Sequence, residues 1–317
     1  MAEIATVVGI DLSGSWWDVA TWPAGEVLRF ANDPHGHAAC LAWLGCAVAP
    51  GSVVACEASG GLERTAVEIL HQRGYGVRVV DAGQVLHFSR AQGRKAKTDA
   101  IDAGMIARFA ATFPGLPITP DPTRQALVDL VSARDLLVAQ LTASRNCASH
   151  MRERGALKCL ERCLETLMRQ IVRIDGLIAA LIAKTPAYAA RSRILRSVPG
   201  VGPATVSRLL ASLPELGTVS AKRVACLVGV APMADDSGAR RGGRHIVGGR
   251  HDVLRTVYMA ALVATQRNPV LRAFYEQLCA RGKAKKQALI AVIRKLIVIL
   301  NTMIARNLMW IDQTETK

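Results

Sequence analysis

Along the first hundred residues the apolar positions come in short runs, each closed by an acid or a turn residue. Thr6-Val7-Val8-Gly9-Ile10-Asp11-Leu12-Ser13 reads as a buried strand running into a Gly-containing turn. Strands from Trp17 to Trp22 and from Glu26 to Ala31 follow at hairpin spacing, with Pro23-Ala24-Gly25 between them. A helix (Gly36 to Leu44), a strand (Ser52 to Cys56) closing on Glu57, a helix (Leu62 to Arg73) and a strand (Gly76 to Val80) closing on Asp81 come next. A further helix opens at Lys97-Thr98-Asp99-Ala100-Ile101-Asp102. Residues 112–123 hold four prolines and cannot continue it. The spacing then changes to a heptad: Leu157, Leu160, Leu164, Leu167, Ile171, Ile174, Ile178 and Leu181 alternate steps of three and four. Leu127, Leu130, Leu137, Leu141 and Met151 repeat it more weakly, with Arg134 in one seam position. Two long helices turning near Gly155 are predicted, folded on each other or paired with another subunit, since one hairpin leaves seam area open. Helices from Val253 to Gln266, Pro269 to Arg281 and Gln287 to Met309 complete the chain. The apolar run from Ala288 to Leu300, broken by Arg294 and Lys295, is expected to be too short to span a bilayer.

The order strand-strand-strand-helix-strand-helix-strand-helix is that of the ribonuclease H-like, or RuvC-like, fold. The fold class expected is therefore α/β plus all-α: a RuvC-like domain over 1–115, a coiled-coil helical segment over 124–185, and a mainly helical domain over 186–317. If the strands ending at Asp11 and Glu57 are neighbours, both carboxylates emerge at one sheet edge. Asp99 and Asp102 share one helix face and repel, so a divalent cation held by oxygen ligands is one reading, and N-capping of a helix start is the other. Convergence of all four acids would require a cation, Mg²⁺ or Mn²⁺, to offset their repulsion. Asp18, Asp33, Glu63 and Glu68 read as solvated faces or caps.

Charge changes the picture of the second half. Residues 186–317 carry 21 Lys and Arg against 7 Asp and Glu, out of a net +15 for the 317-residue chain. That half is the expected polyanion binder. Its basic residues are interleaved with glycine turns, unlike a membrane-surface helix, and no membrane partner is expected. In the basic run Arg90, Arg94, Lys95 and Lys97, the last three add to the nucleic-acid-facing candidates. Eight cysteines with no paired C-x-x-C and no zinc spacing predict buried, reduced thiols. The opening Met-Ala-Glu-Ile-Ala-Thr lacks a signal-peptide pattern, so a cytoplasmic protein, nucleoid-associated when bound to DNA, is expected.

Val198-Pro199-Gly200-Val201-Gly202-Pro203 followed by an apolar helix is similar to a helix-hairpin-helix, in which Gly200 and Gly202 would present backbone N–H groups to a phosphate; a plain Gly/Pro turn is the alternative. Residues 238–250 hold five glycines and four arginines, Arg240, Arg241, Arg244 and Arg250. Such a loop lies close to a polyanion and forks guanidinium groups onto it. Ser237 stands at its head, as a turn residue or as a nucleophile assisted by cations. His245 and His251 are candidate proton carriers. Lys283, Lys285 and Lys286 form a basic junction, a solvated turn or a phosphate contact.

Taken together, Gly9-Ile10-Asp11, Glu57, Lys97-Thr98-Asp99-Ala100-Ile101-Asp102-Ala103, Val198-Pro199-Gly200-Val201-Gly202, Ala231-Pro232, Ser237-Gly238, Gly248-Gly249-Arg250, Leu254-Arg255 and Tyr258-Met259-Ala260-Ala261-Leu262 resemble the DEDD insertion-sequence transposases of the family numbered one hundred and ten. These are bridge-RNA-guided recombinases related to Piv-type DNA invertases. The resemblance implies that Ser237 attacks a DNA phosphate to form a phosphoserine intermediate, while metal held by Asp11, Glu57, Asp99 and Asp102 stabilises the charge. It also implies donor and target DNA and a guide RNA as partners, and a tetramer in which the acids of one subunit serve the serine of another. The alternatives are a RuvC-like junction endonuclease using water, a Piv-type invertase without guide RNA, and a nucleic-acid scaffold without chemistry.

Overall fold

The structure, a computed structural model, describes residues 6–49, 52–93, 99–233, 236–237, 240–241, 245–246 and 248–311, excepting the side chains of 99–101, 236–237 and 240–241. The chain divides into two compact units, Met1–Asp121 and Pro122–Lys317.

The first unit is α/β. Strands β1 (Val7–Leu12), β2 (Trp16–Trp22) and β3 (Val27–Ala31) form an antiparallel meander, followed by helix α1 (Pro34–Ala47). Asp33 caps α1, accepting from Gly36 N at 2.8 Å, and Pro34 opens it. Then come β4 (Val53–Glu57), α2 (Glu63–Gln72), β5 (Gly76–Val80), α3 (Ala82–Ala91) and α4 (Asp99–Thr112). The sheet order is β3-β2-β1-β4-β5, with β4 and β5 parallel to β1, an arrangement compatible with a RuvC-like domain. Helix α3 was not expected from the sequence; Asp81, read as a strand end, is its N-cap and accepts from Gln84 N at 2.9 Å. The sheet is buried on both faces. Val8, Ile10, Trp17, Val19 and Val54 pack with α1 and α2. Ala55 and Val80 pack with Val85 of α3 and Met105, Ile106 and Phe109 of α4. The proline-rich segment returns along β5, where Ile118 N donates to Val77 O at 2.7 Å.

The second unit is helical apart from short ribbons. Helices α5 (Pro122–Ala148) and α6 (Arg154–Lys184) form an antiparallel hairpin within the chain, tied by Arg134 Nε to Asp175 at 2.5 Å. Its turn, just before Arg154, precedes Gly155, which lies in the first turn of α6. The heptad leucines are half-buried against α5, and Ile178 is buried. Then follow α7 (Pro186–Arg196), α8 (Pro203–Ser212), α9 (Ala221–Val228), the ribbon strands β6 (Pro232–Met233), β7 (Asp236–Ser237), β8 (Arg240–Arg241) and β9 (His245–Ile246), and α10 (His251–Arg267), α11 (Pro269–Ala280) and α12 (Lys285–Arg306).

Helix α12 corrects the expectation about the last apolar run. It is 22 residues long and, by length and composition alone, apolar enough to cross a membrane. Its Ala288, Leu289, Val292, Ile293, Leu296, Ile297 and Leu300 are at most 6% exposed, however, and form the centre of this unit's core. Asn301 ties α12 to the α8–α9 connection, accepting from Gly217 N and donating to Val219 O, both at 2.8 Å. The buried Arg208 of α8 is ion-paired with Asp135 of α5.

The thiols also depart from expectation. All eight cysteines are free, but Cys46, Cys147, Cys159 and Cys163 are exposed, and only Cys40 and Cys56 are buried. The helix faces carrying the exposed four are left uncovered by their own unit.

Candidate active-site residues and nucleic-acid interface

The acidic edge is built by strand register. Gly9 pairs with Ala55 and Ile10 with Cys56, so Asp11 and Glu57 stand one position further along adjacent parallel strands. Paired residues share a sheet face, and alternate residues return to it. Ala55 packs under α4, so Glu57 and Asp11 face the same side. Both are half-buried.

Gly9 sets how closely α4 approaches that face. A Cβ on Gly9 would lie 2.2 Å from Ala103 O and 2.3 Å from Ala107 N, so only glycine admits the helix backbone here. Farther along α4, Arg108 lies over the Trp22 ring at 5.0 Å, and Trp22 pairs with Val7 at the opposite end of β1. The helix therefore runs away from the Asp11 edge, and its opening residues, Asp99 to Asp102, belong to that edge. Arg78 of β5 anchors its far end, donating to Ala110 O at 2.8 Å and Phe113 O at 2.7 Å. Burial holds the Arg78 guanidinium below its usual range.

Two features of this edge escaped sequence reasoning. Asp11 pairs across β2 with Asp18, and Asp18 pairs with Arg29 of β3. Asp18 is not a solvated acid: it is 4% exposed and held by Arg29 Nε at 2.8 Å and Nη2 at 3.0 Å. A period-two alignment of Asp18 with Asp11 was the available signal. Glu63, in turn, organises the loop after Glu57, accepting from Gly61 N at 2.9 Å and from Ser59 N and Oγ at 3.1 Å. Burial pushes the Glu63 carboxyl up, but these hydrogen bonds outweigh it and hold the group below the usual carboxylate range.

Of the four predicted metal acids, register thus brings Asp11 and Glu57 side by side. Asp102 is half-buried on the covering helix, and Asp99 opens that helix with its side chain outside the description. Among the described residues no three His, Cys, Asp or Glu side chains gather closely enough to hold a metal ion. The donor chemistry, carboxylate oxygen throughout, suits a hard divalent cation.

In the second unit Ser237 lies on a ribbon and not in an irregular loop. Asp236 pairs with Arg241 and Ser237 with Arg240. In a separate strand pair, Pro232 pairs with Ile246 and Met233 with His245. The stem is clamped where Gly248-Gly249 crosses the αL C-cap of α9, Gly229. A Cβ on Gly249 would lie 2.3 Å from Gly229 Cα, and one on Gly229 would lie 2.5 Å from Gly248 O. Arg250 closes the clamp: its amide donates to Leu227 O at 2.8 Å, and its guanidinium donates to Glu215 at 2.6 and 2.7 Å and to Ser212 O at 2.8 Å. Arg250 is thus a strap at the ribbon's base. Arg94, Lys95, Lys97 and Arg244 lie outside the described residues. Gly200, at φ 103°, turns the chain between α7 and α8 and seats the hairpin on α10, and Gly202 precedes the first residue of α8.

A model for DEDD transposases of the IS110 type matches residues 8–154, and one described as "Transposase IS116/IS110/IS902 family" matches residues 192–276. The chain belongs to the IS110 family of DEDD transposases. As a transposase it is a DNA-recombining enzyme, in a family whose acids act with a divalent metal ion. The pilin gene-inverting protein of Moraxella lacunata is 26% identical over 95% of this chain and 96% of its own length, and that of Moraxella bovis matches equally. An IS110 insertion-element protein of Streptomyces coelicolor is 31% identical over 46% of the chain and 35% of its own length.

Proposed function

We infer that this transposase cuts and rejoins DNA strands through a phosphoserine intermediate, guided by a bridge RNA that pairs with donor and target DNA. The Ser237 Oγ attacks a phosphodiester phosphorus. An Oγ–P bond forms, the bond to a bridging deoxyribose oxygen breaks, and the departing strand leaves as a hydroxyl. Attack by another strand's hydroxyl on the phosphoserine reverses the bookkeeping and seals the new joint. One phosphodiester is exchanged for another, so the step needs no external energy source.

Asp11, Glu57, Asp99 and Asp102 would hold Mg²⁺ or Mn²⁺, which supplies neutralisation of the phosphate charge when bound. Arg240, Arg241 and Arg244 flank the phosphate beside the serine, while Arg250 positions the ribbon. Arg94, Lys95, Lys97, Gly200 and Gly202 contact the nucleic-acid backbone. The observation that carries the reading is the strand pair that sets Ser237 opposite Arg240. A tetramer is supported by apolar side chains left open on the hairpin, with Leu136 59% and Val172 71% exposed.

A second reading, site-specific inversion without guide RNA, is favoured by the near full-length match to pilin gene-inverting proteins. Sequencing RNA that co-purifies with the protein separates the two: one abundant structured RNA supports guidance, and its absence from an active preparation supports inversion. For the chemistry, a protein–DNA adduct resistant to denaturant is expected with the wild type and not with Ser237→Ala. Hydrolysed ends produced by Ser237→Ala would instead establish a water-using junction endonuclease.

A further inference from the structure

The glycine hairpin leaves donors without internal acceptors. Val201 N donates to Val198 O at 3.0 Å and Thr205 N to Gly202 O at 3.1 Å, whereas the amides of Gly200, Gly202 and Ala204 donate to no carbonyl among the described residues. Beside them stands Thr205, 7% exposed, whose hydroxyl has no hydrogen-bond partner among the described residues. That hydroxyl is not sealed from solvent: Thr205 lines the space beside the hairpin, where an outside group can pair with it.

The place for that acceptor is a cavity of about 420 Å³ between the hairpin and α10, lined by Gly200, Gly202, Thr205, Met259, Val263 and Arg267. Its shape depends on Gly200, since a Cβ there would lie 2.7 Å from Ala264 Cβ. Arg267 is exposed and has no ion pair among the described residues. One side of the cavity therefore offers open backbone amides, a hydroxyl and positive charge. The other offers the apolar surface of Met259, 56% exposed, and Val263, 39% exposed. The volume suits a ligand of nucleotide size better than a lone phosphate.

We propose that this cavity binds one phosphodiester and the adjoining deoxyribose of a DNA strand, with Arg267 and Thr205 as phosphate ligands beside the hairpin amides. The phosphate oxygens accept from the guanidinium, the hydroxyl and the amides. The sugar lies on Met259 and Val263. That wall has no side-chain polar group to meet a 2′-hydroxyl, so the chemistry selects DNA over RNA. The proposal rests on the DNA-recombinase reading and extends it by two ligands on separate helices.

The test uses the full chain and a fluorescein-labelled mixed-sequence DNA duplex, followed by anisotropy across a salt series. Arg267→Gln is expected to weaken binding about tenfold and to reduce the slope of log affinity against log salt by about 0.9, one phosphate contact. Thr205→Val should weaken binding about tenfold with the slope unchanged, because no charge is removed. Thr205→Ser and Arg267→Lys should keep most of the affinity. Benzoylphenylalanine in place of the exposed Met259 should cross-link to the DNA, and this arm holds even if Thr205→Val melts early. Arg267→Gln binding with wild-type affinity and slope would overturn the proposal, as would cross-linking to RNA of the same sequence in preference to DNA. Either failure with the Ser237-dependent adduct intact removes this site and leaves the recombinase reading standing; loss of that adduct chemistry in the wild type removes the reading itself.

Discussion

Asp18 lies directly across the β1–β2 ladder from Asp11, and Arg29 grips it bidentately from β3 at 2.8 and 3.0 Å. Like charges placed opposite one another in a sheet destabilise it. The guanidinium compensates the inner carboxylate and so lets Asp11 remain an acid at the sheet edge.

Breaking that grip should be felt as stability. Asp18 has a side chain 5% exposed while that of Arg29 is 48% exposed, so the cost falls below that of a fully buried pair. Arg29→Met is expected to lower the unfolding free energy by about 2 kcal/mol, with Asp18→Asn added in the same chain recovering about half. Urea unfolding of the four-member cycle measures it; an Arg29→Met curve superimposable on wild type would show that the pair supports nothing.

Gly9→Ala should be the most damaging small change in the first unit. The new methyl meets backbone atoms of α4 at 2.2 and 2.3 Å, and backbone cannot rotate away as a side chain can. The helix must lift, carrying Asp102 with it. A loss of about 3 kcal/mol is expected, together with loss of DNA cleavage, while affinity of the second unit for DNA stays. Guanidinium chloride unfolding alongside a cleavage assay tests both halves of the statement.

The same residues show what the sequence makes legible. The mixed α/β first half and helical second half follow from strand-length apolar runs changing to heptads, because local burial is written in local periodicity. What escaped is written in pairs distant along the chain. Asp18 looks like a solvated acid until β2 is laid against β1 and Arg29 is found opposite. Arg250 reads as a phosphate ligand, since nothing nearby in sequence announces Glu215 as its partner. Gly229 and Gly249 serve a backbone crossing between positions twenty residues apart, which no local pattern announces. Helix α3 escapes a reading by apolar runs, since only Val85 of its ten residues is buried. The run in α12 looked short because Arg294 and Lys295 interrupt a stripe that, on a helix, passes to either side of them.

The clamp at the ribbon base should make the second unit sensitive to acid. Burial pushes the Glu215 carboxyl up, but hydrogen bonds from Arg250 and the charges of Arg250 and Arg124 outweigh it, and the group sits below the usual carboxylate range. A carboxyl lowered in the folded state contributes stability that is fully present above its unfolded value and lost as pH falls through the folded one. Wild type should therefore lose stability below about pH 4.5. Glu215→Gln should lose about 1 kcal/mol at neutral pH, and its melting temperature should fall less on acidification than that of wild type. Equal acid-induced falls in the two proteins would deny Glu215 this part.

Thiol labelling checks the packing of both units without reference to activity. Burial pushes the Cys40 thiol up to about 12, and burial with the Glu63 charge does the same for Cys56. The thiolate is the reactive form, so these two should resist N-ethylmaleimide at neutral pH. Cys46, Cys147, Cys159 and Cys163 are exposed and should label first, with the half-buried Cys226 and Cys279 slower. Peptide mapping after timed labelling gives the order. Protection of Cys147, Cys159 and Cys163 together in the native protein would place a partner over that end of the α5–α6 hairpin.

Removing one acid should separate metal binding from folding at the sheet edge. Asp11 and Glu57 share one face on adjacent strands, with Asp18 on the other side of Asp11. A divalent ion binding the folded state alone raises the melting temperature by mass action. Wild type should therefore gain stability as Mg²⁺ is titrated from micromolar to millimolar, while Asp11→Asn, Glu57→Gln, Asp99→Asn and Asp102→Asn gain little, and all four should lose strand cleavage. The ordering matters: a substitution that removes both the Mg²⁺ response and cleavage while the chelated protein melts close to wild type marks a ligand, whereas one that only destabilises marks a scaffold residue. If Asp99→Asn keeps the full Mg²⁺ response while Asp102→Asn loses it, the helix start serves as a cap and the ion is held by Asp11, Glu57 and Asp102 alone.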